Sequence, residues 1–253
     1  MKYGLIGEKL GHSFSKLIHE KIWDYKYDLL ELTRDELDSF LEERDFKGVN
    51  VTIPYKSEVI SYLDEIDESA DKIGAVNTIV NKKGKLLGYN TDYYGFIYTL
   101  NKHNVGIEGE KVIVLGNGGA AKAVITGLED LKAGEIVVVG RTLRANTISF
   151  EDCYKDHTDA KVIVNATPVG MYPEINASPL NLESFADCSH VIDLIYNPLE
   201  TKLLNQASQM GMVSINGLEM LIAQAKVAAE YFLDTSIDNS VIDKIYKEIH
   251  QSL

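Results

Sequence analysis

Lys111–Val124 reads KVIVLGNGGAAKAV, and its residue types and spacing suit one kind of chemistry. Val112–Leu115 is a short apolar, β-branched run of the kind that is buried on both faces of a sheet. Gly116, Asn117, Gly118, Gly119 and Ala120 follow at once, and small apolar residues then resume a helical pattern. Strand, glycine turn and helix in that order make a dinucleotide fingerprint. Gly116 allows the tight turn, Gly118 lets backbone approach a pyrophosphate, and Ala121 takes the small position where helix packs on sheet. The new helix points its first N–H groups at phosphate. The next strand, Glu135–Val139, is followed by Gly140, Arg141, Thr142 and, one residue on, Arg144. An acidic residue there would hold the ribose 2′-hydroxyl of NAD, whereas guanidinium forks suit the 2′-phosphate of NADP. A glycine loop without nucleotide and two solvated arginines are the ordinary alternatives. The two features together favour NADP.

A second set of polar residues lies in the first half of the chain, just beyond its expected strands. These are Ser13 and Ser15, Asn50 and Thr52, then Lys56, Asn77, Asn90 and Asp92. Hydroxyls and amides suit a polyol or hydroxy acid, and one lysine with one aspartate suits proton transfer. A ketone reduced by hydride needs a proton at the developing alkoxide. An ordinary lysine is protonated near neutral pH and can donate it. Taken singly, Lys56 reads as a solvated surface lysine and Asp92 as an N-cap before Tyr93. Composition alone does not bring them together.

The elements that must position these residues follow from periodicity and turn chemistry. Strands are expected at Tyr3–Gly7, Tyr27–Leu32 and Gly48–Ile53. Helices are expected at Lys16–Tyr27, with Ser15 as N-cap, and at Arg34–Arg44, with Thr33 and Glu36 as a capping box. Tyr55-Lys56 opens a helix-like segment, and Asp67–Ile73 is a further helix. Ala75–Val80 and Lys85–Tyr89 flank Asn81-Lys82-Lys83-Gly84 as a hairpin. Tyr93–Lys102 is a helix leading out of this half. Beyond the glycine turn come strands at Val162–Asn165, His190–Ile195 and Met212–Ile215, with a helix at Pro198–Met210. Helices at Leu218–Leu233 and Ser240–Ser252 close the chain and fit either half. The expected class is α/β. Residues 1–100 form an N-terminal α/β domain and residues 101–216 a Rossmann-type nucleotide domain with right-handed crossovers. Strand carboxyl ends carry ligands in such sheets, so a cleft between the halves is expected to hold cofactor and substrate.

Composition narrows the partners. The chain has 253 residues, 45% hydrophobic and 25% charged, with a net charge of −13. That acidity argues against nucleic acid and anionic membrane surfaces as general partners. Cys153 and Cys188 form no metal spacing and no disulfide framework, which fits a reducing cytoplasm. The first residues, MKYGLIG, have no signal-peptide pattern, and no apolar run approaches the ~20 residues of a membrane span.

Eight motifs in order resemble the shikimate dehydrogenase family. They are HSFS (12–15), NVTIPYK (50–56), GAVNTI (74–79), GYNTDYYGF (88–96), LGNGGAAKA (115–123), NATPVGM (165–171), DLIYNPLET (193–201) and GLEMLIAQA (217–225). The resemblance implies an NADP-dependent oxidoreductase, monomeric or homodimeric, that interconverts 3-dehydroshikimate and shikimate in aromatic amino-acid biosynthesis. It makes Lys56 the general acid/base and Asp92 its partner, also touching the substrate. It gives Ser13, Ser15, Thr52, Asn77 and Gln224 to the substrate carboxylate and hydroxyls, with Tyr196 nearby and Asn50 beside them. It gives Gly116, Asn117, Gly118, Gly119 and Ala120 to the pyrophosphate and Arg141, Thr142 and Arg144 to the 2′-phosphate. Leu194 and Gly217 then lie near the nicotinamide, no metal is implied, and Gln224 returns residues 217–253 to the first domain. Gly140 stands where the family often has Asn, which removes one cofactor contact.

Two other readings stand beside this one. A quinate/shikimate or aminoshikimate dehydrogenase of the same superfamily could use NAD, against which Arg141 and Arg144 count. A nucleotide-binding module without catalysis has no need of Lys56 and Asp92.

Overall fold

Leu5 and Ile6 are neighbours in the first strand yet belong to two different apolar clusters. That is the period-two pattern of a strand covered on both faces. In this computed structural model, which describes residues 2–11, 13–142 and 146–251, the chain divides into two units. One takes residues up to Gly95 together with those from Ile222 on, and the other takes Phe96–Leu221.

In the first unit the elements run Tyr3–Gly7 (β1), Ser15–Ile22 (α1), Asp28–Glu31 (β2), Arg34–Glu43 (α2), Gly48–Val51 (β3), Glu65–Ile66 (β4), Glu68–Ile73 (α3), Thr78–Lys82 (β5) and Lys85–Tyr89 (β6). Thr91–Lys102 (α4) leads out of it. The six strands form one sheet in the order β2-β1-β3-β5-β6-β4. β5 runs antiparallel to both of its neighbours, and the other pairings are parallel. The expected capping box is present: Thr33 and Glu36 bond reciprocally at the start of α2.

The structure departs from expectation in three places here. α1 begins at Ser15, with Phe14 as its N-cap and no side-chain cap bond, so Ser15 is the first helical residue and not the cap. The helix stops at Ile22, where Trp23 turns extended. Tyr27 is thereby released into the core. After Pro54 the chain makes turns and a short 3-10 helix, Glu58–Tyr62, in place of an α-helix.

In the second unit Lys111–Leu115 (β7), Gly119–Asp130 (α5), Glu135–Val139 (β8), Phe150–Asp156 (α6), Val162–Asn165 (β9), His190–Asp193 (β10), Lys202–Gln209 (α7) and Val213–Ile215 (β11) follow in turn. Five parallel strands stand in the order β11-β10-β9-β7-β8. Ile113 and Leu115 join one apolar cluster while Val112 and Val114 join another, so β7 is buried on both faces as its composition demands. The order reverses at β7, which has β8 on one side and β9 on the other. Ligands sit at such a switch point, outside the carboxyl ends of the strands. Thr201 caps α7 through the Leu204 N–H, so the helix begins at Lys202, four residues later than the expected start at Pro198. The short α6 and β4 carry no clear periodicity of their own.

Leu218–Leu233 (α8) and Ser240–His250 (α9) close the chain. Ala228 and Phe232 of α8 pack with Tyr3, Leu5, Tyr27 and Val80. Among the described residues no helix is long and apolar enough to cross a membrane.

Gly48 shows how tightly α8 is seated, because a Cβ there would overlap the Phe232 ring. Gly48→Val is therefore expected to cost about 1–3 kcal/mol of stability through overpacking, read as a lower urea midpoint. Combining it with Phe232→Leu should cost less than the sum of the two single changes, because the two sites share one volume.

Candidate active site

Lys56 sits in a turn whose backbone is held from two sides. Its predecessor Tyr55 is fully buried and donates its hydroxyl to the Leu32 carbonyl at 2.6 Å. Its own carbonyl accepts the Val76 N–H at 2.7 Å. The side chain is thus presented from a fixed base, 18% exposed, and its Nζ lies 2.5 Å from Asp92 Oδ2. Asp92, 14% exposed, stands in the first turn of α4. It is not the cap: Asn90 Oδ1 accepts the Tyr93 N–H at 3.4 Å, and Asn90 Nδ2 donates to the Ala75 carbonyl.

The other oxygen of Asp92 accepts Asn77 Nδ2 at 2.9 Å. Asn77 is 3% exposed, and its Oδ1 accepts the Thr91 N–H at 2.7 Å. Thr78, also buried, donates its hydroxyl to the same Oδ1 at 3.0 Å and accepts from Asn50 Nδ2 at 2.9 Å. Asn50 Oδ1 accepts the Tyr27 hydroxyl at 2.7 Å. Thr91 Oγ1 lies 3.3 Å from Gln224 Oε1 on α8. Thr78, Thr91 and Tyr27 were not among the expected site residues. A signal for the two threonines is present in the sequence, since the pair Asn-Thr occurs at 77–78 and again at 90–91.

Thr52 lies just past β3, with its methyl so close over Gly7 that a Cβ there would come within 2.6 Å of it. Gly7 therefore lets the ends of β1 and β3 approach. Ser13 and Ser15 are half-buried, and Ser13 Oγ accepts the Ser15 N–H at 3.2 Å. His12, the first residue of that motif, lies outside the described residues. Lys56, Asp92, Asn77, Asn50 and Gln224 thus join one set of hydrogen bonds in the first unit. Thr52, Ser13 and Ser15 belong to the same unit.

The glycine turn belongs to the second unit. Gly116 has φ +103°, in the left-handed region, and a Cβ there would come 3.1 Å from the Ala166 carbonyl beyond β9. Both facts demand glycine. Gly118 is the N-cap of α5 and makes no side-chain cap bond, so that end of the helix is left for an external acceptor. Asn117 Nδ2 is buried without a partner among the described residues. It lies 3.5 Å from where a Gly140 Cβ would stand. An unpaired buried donor beside an uncapped helix end fits a phosphorylated ligand. Arg141 and Thr142 are exposed directly after Gly140, and Arg144 lies outside the described residues.

Leu194 and Gly217 are brought together: a Cβ on Gly217 would overlap the Leu194 carbonyl, and the Gly217 N–H bonds the Ile195 carbonyl at 2.9 Å. Tyr196 follows in the same loop, half-buried. Asp193 anchors this loop from below. Its Oδ1 accepts Asn165 Nδ2 at 2.9 Å and the Ile195 N–H at 3.1 Å, and its Oδ2 accepts the Thr201 hydroxyl at 2.7 Å. Burial pushes its carboxyl up to about 6 despite those donors.

Residues 5–79 match the family model described as the shikimate dehydrogenase substrate binding domain. The chain is 42% identical over 259 residues to the shikimate dehydrogenase (NADP(+)) of Clostridium beijerinckii, covering 96% of each. The crystal structure of a chorismate mutase/shikimate 5-dehydrogenase fusion protein from Clostridium acetobutylicum matches at TM-score 0.93 and 42% identity, over 99% of this chain and 97% of that one. The shikimate 5-dehydrogenase of Thermus thermophilus, solved with NADP(H) and shikimate, matches at TM-score 0.88 and 30% identity, over 98% of this chain and 99% of that one.

Asp193 makes a pH-dependent contribution with a definite sign. Its folded pKa, about 6, lies above the ordinary carboxylate value near 3.8. Between those values the folded state binds more protons than the unfolded state, so this group's contribution to stability falls as pH rises from about 4 to about 6. Asp193→Asn removes that dependence. Urea unfolding of both proteins across this range should show the wild type losing, relative to the variant, on the order of 2–3 kcal/mol. A constant difference would remove Asp193 as the source.

Proposed function

The chain belongs to the shikimate dehydrogenase family, and from that premise we propose that it interconverts shikimate and 3-dehydroshikimate with NADP(H). The observation that carries the proposal is the Lys56 Nζ–Asp92 Oδ2 pair at 2.5 Å, with Asn77 Nδ2 on the other Asp92 oxygen. NADP(H), when bound, gives or takes the hydride. In the reducing direction Lys56 delivers a proton from its ammonium to the oxygen of the developing alkoxide. In the oxidising direction the neutral Lys56 amine takes the hydroxyl proton and becomes the ammonium. Lys56 commits one N–H to Asp92, and the ammonium has three. Asp92, an acceptor at both oxygens, retains lone pairs for a substrate hydroxyl. Ser13, Ser15, Thr52, Asn77 and Gln224 supply further hydroxyl and amide groups for a polyol carboxylate.

In the second unit, Gly116, Asn117, Gly118, Gly119 and Ala120 would hold the pyrophosphate. Arg141 and Thr142, with Arg144, would hold the 2′-phosphate. Leu194 and Gly217 would flank the nicotinamide. The uncapped start of α5 and Asn117 Nδ2, without a partner among the described residues, support this assignment. The guanidinium of Arg141 supports NADP over NAD, because a fork of N–H donors suits a phosphate dianion and has no such partner in NAD.

The experiment is reduction of NADP⁺ and, separately, NAD⁺ by shikimate, followed by absorbance, with quinate in parallel. Turnover confined to shikimate and NADP⁺ is expected. Equal turnover with quinate or NAD⁺ would replace this reading with a quinate-type enzyme. Lys56→Met should lower turnover by about 10²–10⁴-fold while NADP⁺ affinity, measured by calorimetry, stays near wild type. Near-normal turnover would take Lys56 out of the mechanism. Arg141→Ala should weaken NADP⁺ binding by about tenfold or more and NAD⁺ binding little; equal losses would overturn the 2′-phosphate assignment.

A further inference from the structure

The hydrogen bonds behind the Lys56–Asp92 pair have a set direction, and two groups fix it. The Thr91 N–H is a donor and cannot reverse, and a carboxylate such as Asp92 is an acceptor. Asn77 lies between them, so its Oδ1 must face Thr91 and its Nδ2 must face Asp92. Asn77 Oδ1 has two lone pairs. The Thr91 N–H at 2.7 Å takes one and the Thr78 hydroxyl at 3.0 Å takes the other. Thr78 is free to donate there because its own oxygen accepts Asn50 Nδ2 at 2.9 Å. Asn50 is oriented in turn by the Tyr27 hydroxyl on its Oδ1.

The Thr91 hydroxyl has one proton and three oxygens within reach. Asn77 Oδ1 at 3.2 Å is already filled, and Thr78 Oγ1 at 3.2 Å carries a proton of its own and can be the donor in that contact, whereas Gln224 Oε1 is an amide oxygen and can only accept. The proton therefore goes to Gln224 Oε1 at 3.3 Å. That pins the carbonyl end of the Gln224 amide and turns the NH₂ end the other way. Thr91 is fully buried, so neither of its polar groups is exchanged for water.

We propose that Thr91 is a positioning residue with two separable jobs: its backbone N–H orients Asn77, and through it Asp92, while its hydroxyl orients Gln224 so that this amide presents N–H donors to the substrate. The proposal rests on the shikimate reading of the same site. It assigns a donor, rather than an acceptor, to position 224, which suits a carboxylate or a hydroxyl oxygen. Because the backbone N–H survives any substitution except proline, removing the hydroxyl should touch substrate binding and leave the proton-transfer pair in place.

The test is steady-state kinetics of Thr91→Val and Thr91→Ser in the intact enzyme, with shikimate varied at saturating NADP⁺. Thr91→Val should raise the shikimate KM about five- to tenfold, the cost of one released hydrogen bond to a binding amide, with kcat within about twofold of wild type on the same reasoning. Thr91→Ser restores the hydroxyl and should restore KM. In a Gln224→Ala background Thr91→Val should have no further effect on KM, because its only route to the substrate is gone. A fall in kcat at unchanged KM, effects that multiply in the double variant, or failure of serine to restore KM would each overturn the proposal.

Gln224→Glu tests the same polarity without altering Thr91, and so covers a Thr91→Val protein that does not fold. It keeps an oxygen for the Thr91 hydroxyl and puts an acceptor where the NH₂ stood. Its KM should exceed that of Gln224→Ala; an equal or lower KM would overturn the donor assignment. Wild-type protein without turnover on shikimate and NADP⁺ overturns the functional reading and this proposal with it. Wild-type turnover with any of the contrary patterns overturns the proposal alone.

Discussion

A buried polar group without a partner costs about 1–3 kcal/mol, and the first unit gathers many such groups at the ends of its strands. Asn50, Asn77, Thr78, Asn90 and Thr91 are each 5% exposed or less. None can turn to water, so each must find its partner in the protein. The result is a set of amides and hydroxyls with no freedom of orientation, closed at one end by Tyr27 and at the other by Lys56. That closure gives Asp92 its place. A carboxylate that accepts Asn77 at one oxygen and Lys56 at the other is held in both rotation and tilt, and so is the ammonium against it. Rigidity of this kind suits the proton transfer proposed for Lys56, in which the donor must already point at the reacting oxygen.

The second unit solves a different problem, the close approach of backbone segments at the carboxyl ends of its strands, and uses glycine for it. Gly116 turns with a positive φ against the Ala166 carbonyl, and Gly217 lets the chain after β11 meet Leu194. Any Cβ at either place would push apart two segments at the carboxyl ends of the sheet. The loop that carries Leu194 is held from the buried side by Asp193, whose carboxyl gathers three donors from β9, from its own strand end and from the cap of α7. One buried carboxyl therefore organises this loop in the second unit much as Asn77 organises the site in the first.

What local chemistry dictates was legible. The β7–α5 glycine turn, the strand Glu135–Val139, the Thr33/Glu36 capping box and the hairpin around residues 81–84 all appear where their residues put them. Elements without a local signal were missed. β4 has two residues, Glu65 and Ile66, too few to show a period, and exists because β6 offers it an edge. α6 depends on its Ser149 cap and the burial of Cys153. Ser15 is the first helical residue and not the cap because a serine before a helical pattern fits either role, and the backbone at Phe14 decides it. The contact between Lys56 and Asp92 spans 36 positions, and nothing in either residue announces the other. Only the resemblance of the surrounding motifs suggested it. Taken singly, Thr78 and Thr91 carry no such signal, because threonine reads as an ordinary strand or helix-start residue until the fold encloses its hydroxyl.

The net charge bears on how anions are recognised at all. A chain of −13 repels a phosphorylated or carboxylated ligand as it comes within the screening length of the surface. Attraction must therefore come from short-range, directed N–H groups rather than from the field of the whole molecule. The second unit offers the uncapped α5 terminus, an Asn117 Nδ2 with no partner among the described residues, and the exposed Arg141. The first offers Lys56, whose charge is balanced at once by Asp92 and so adds little to the long-range potential. Near the site the balance is reversed by geometry: a donor fixed within hydrogen-bond distance outweighs charges spread over a solvated surface, where the effective dielectric is high. An acidic protein can in this way select anions by the placement of a few N–H bonds, and the same placement sets which oxygen of the ligand each donor meets.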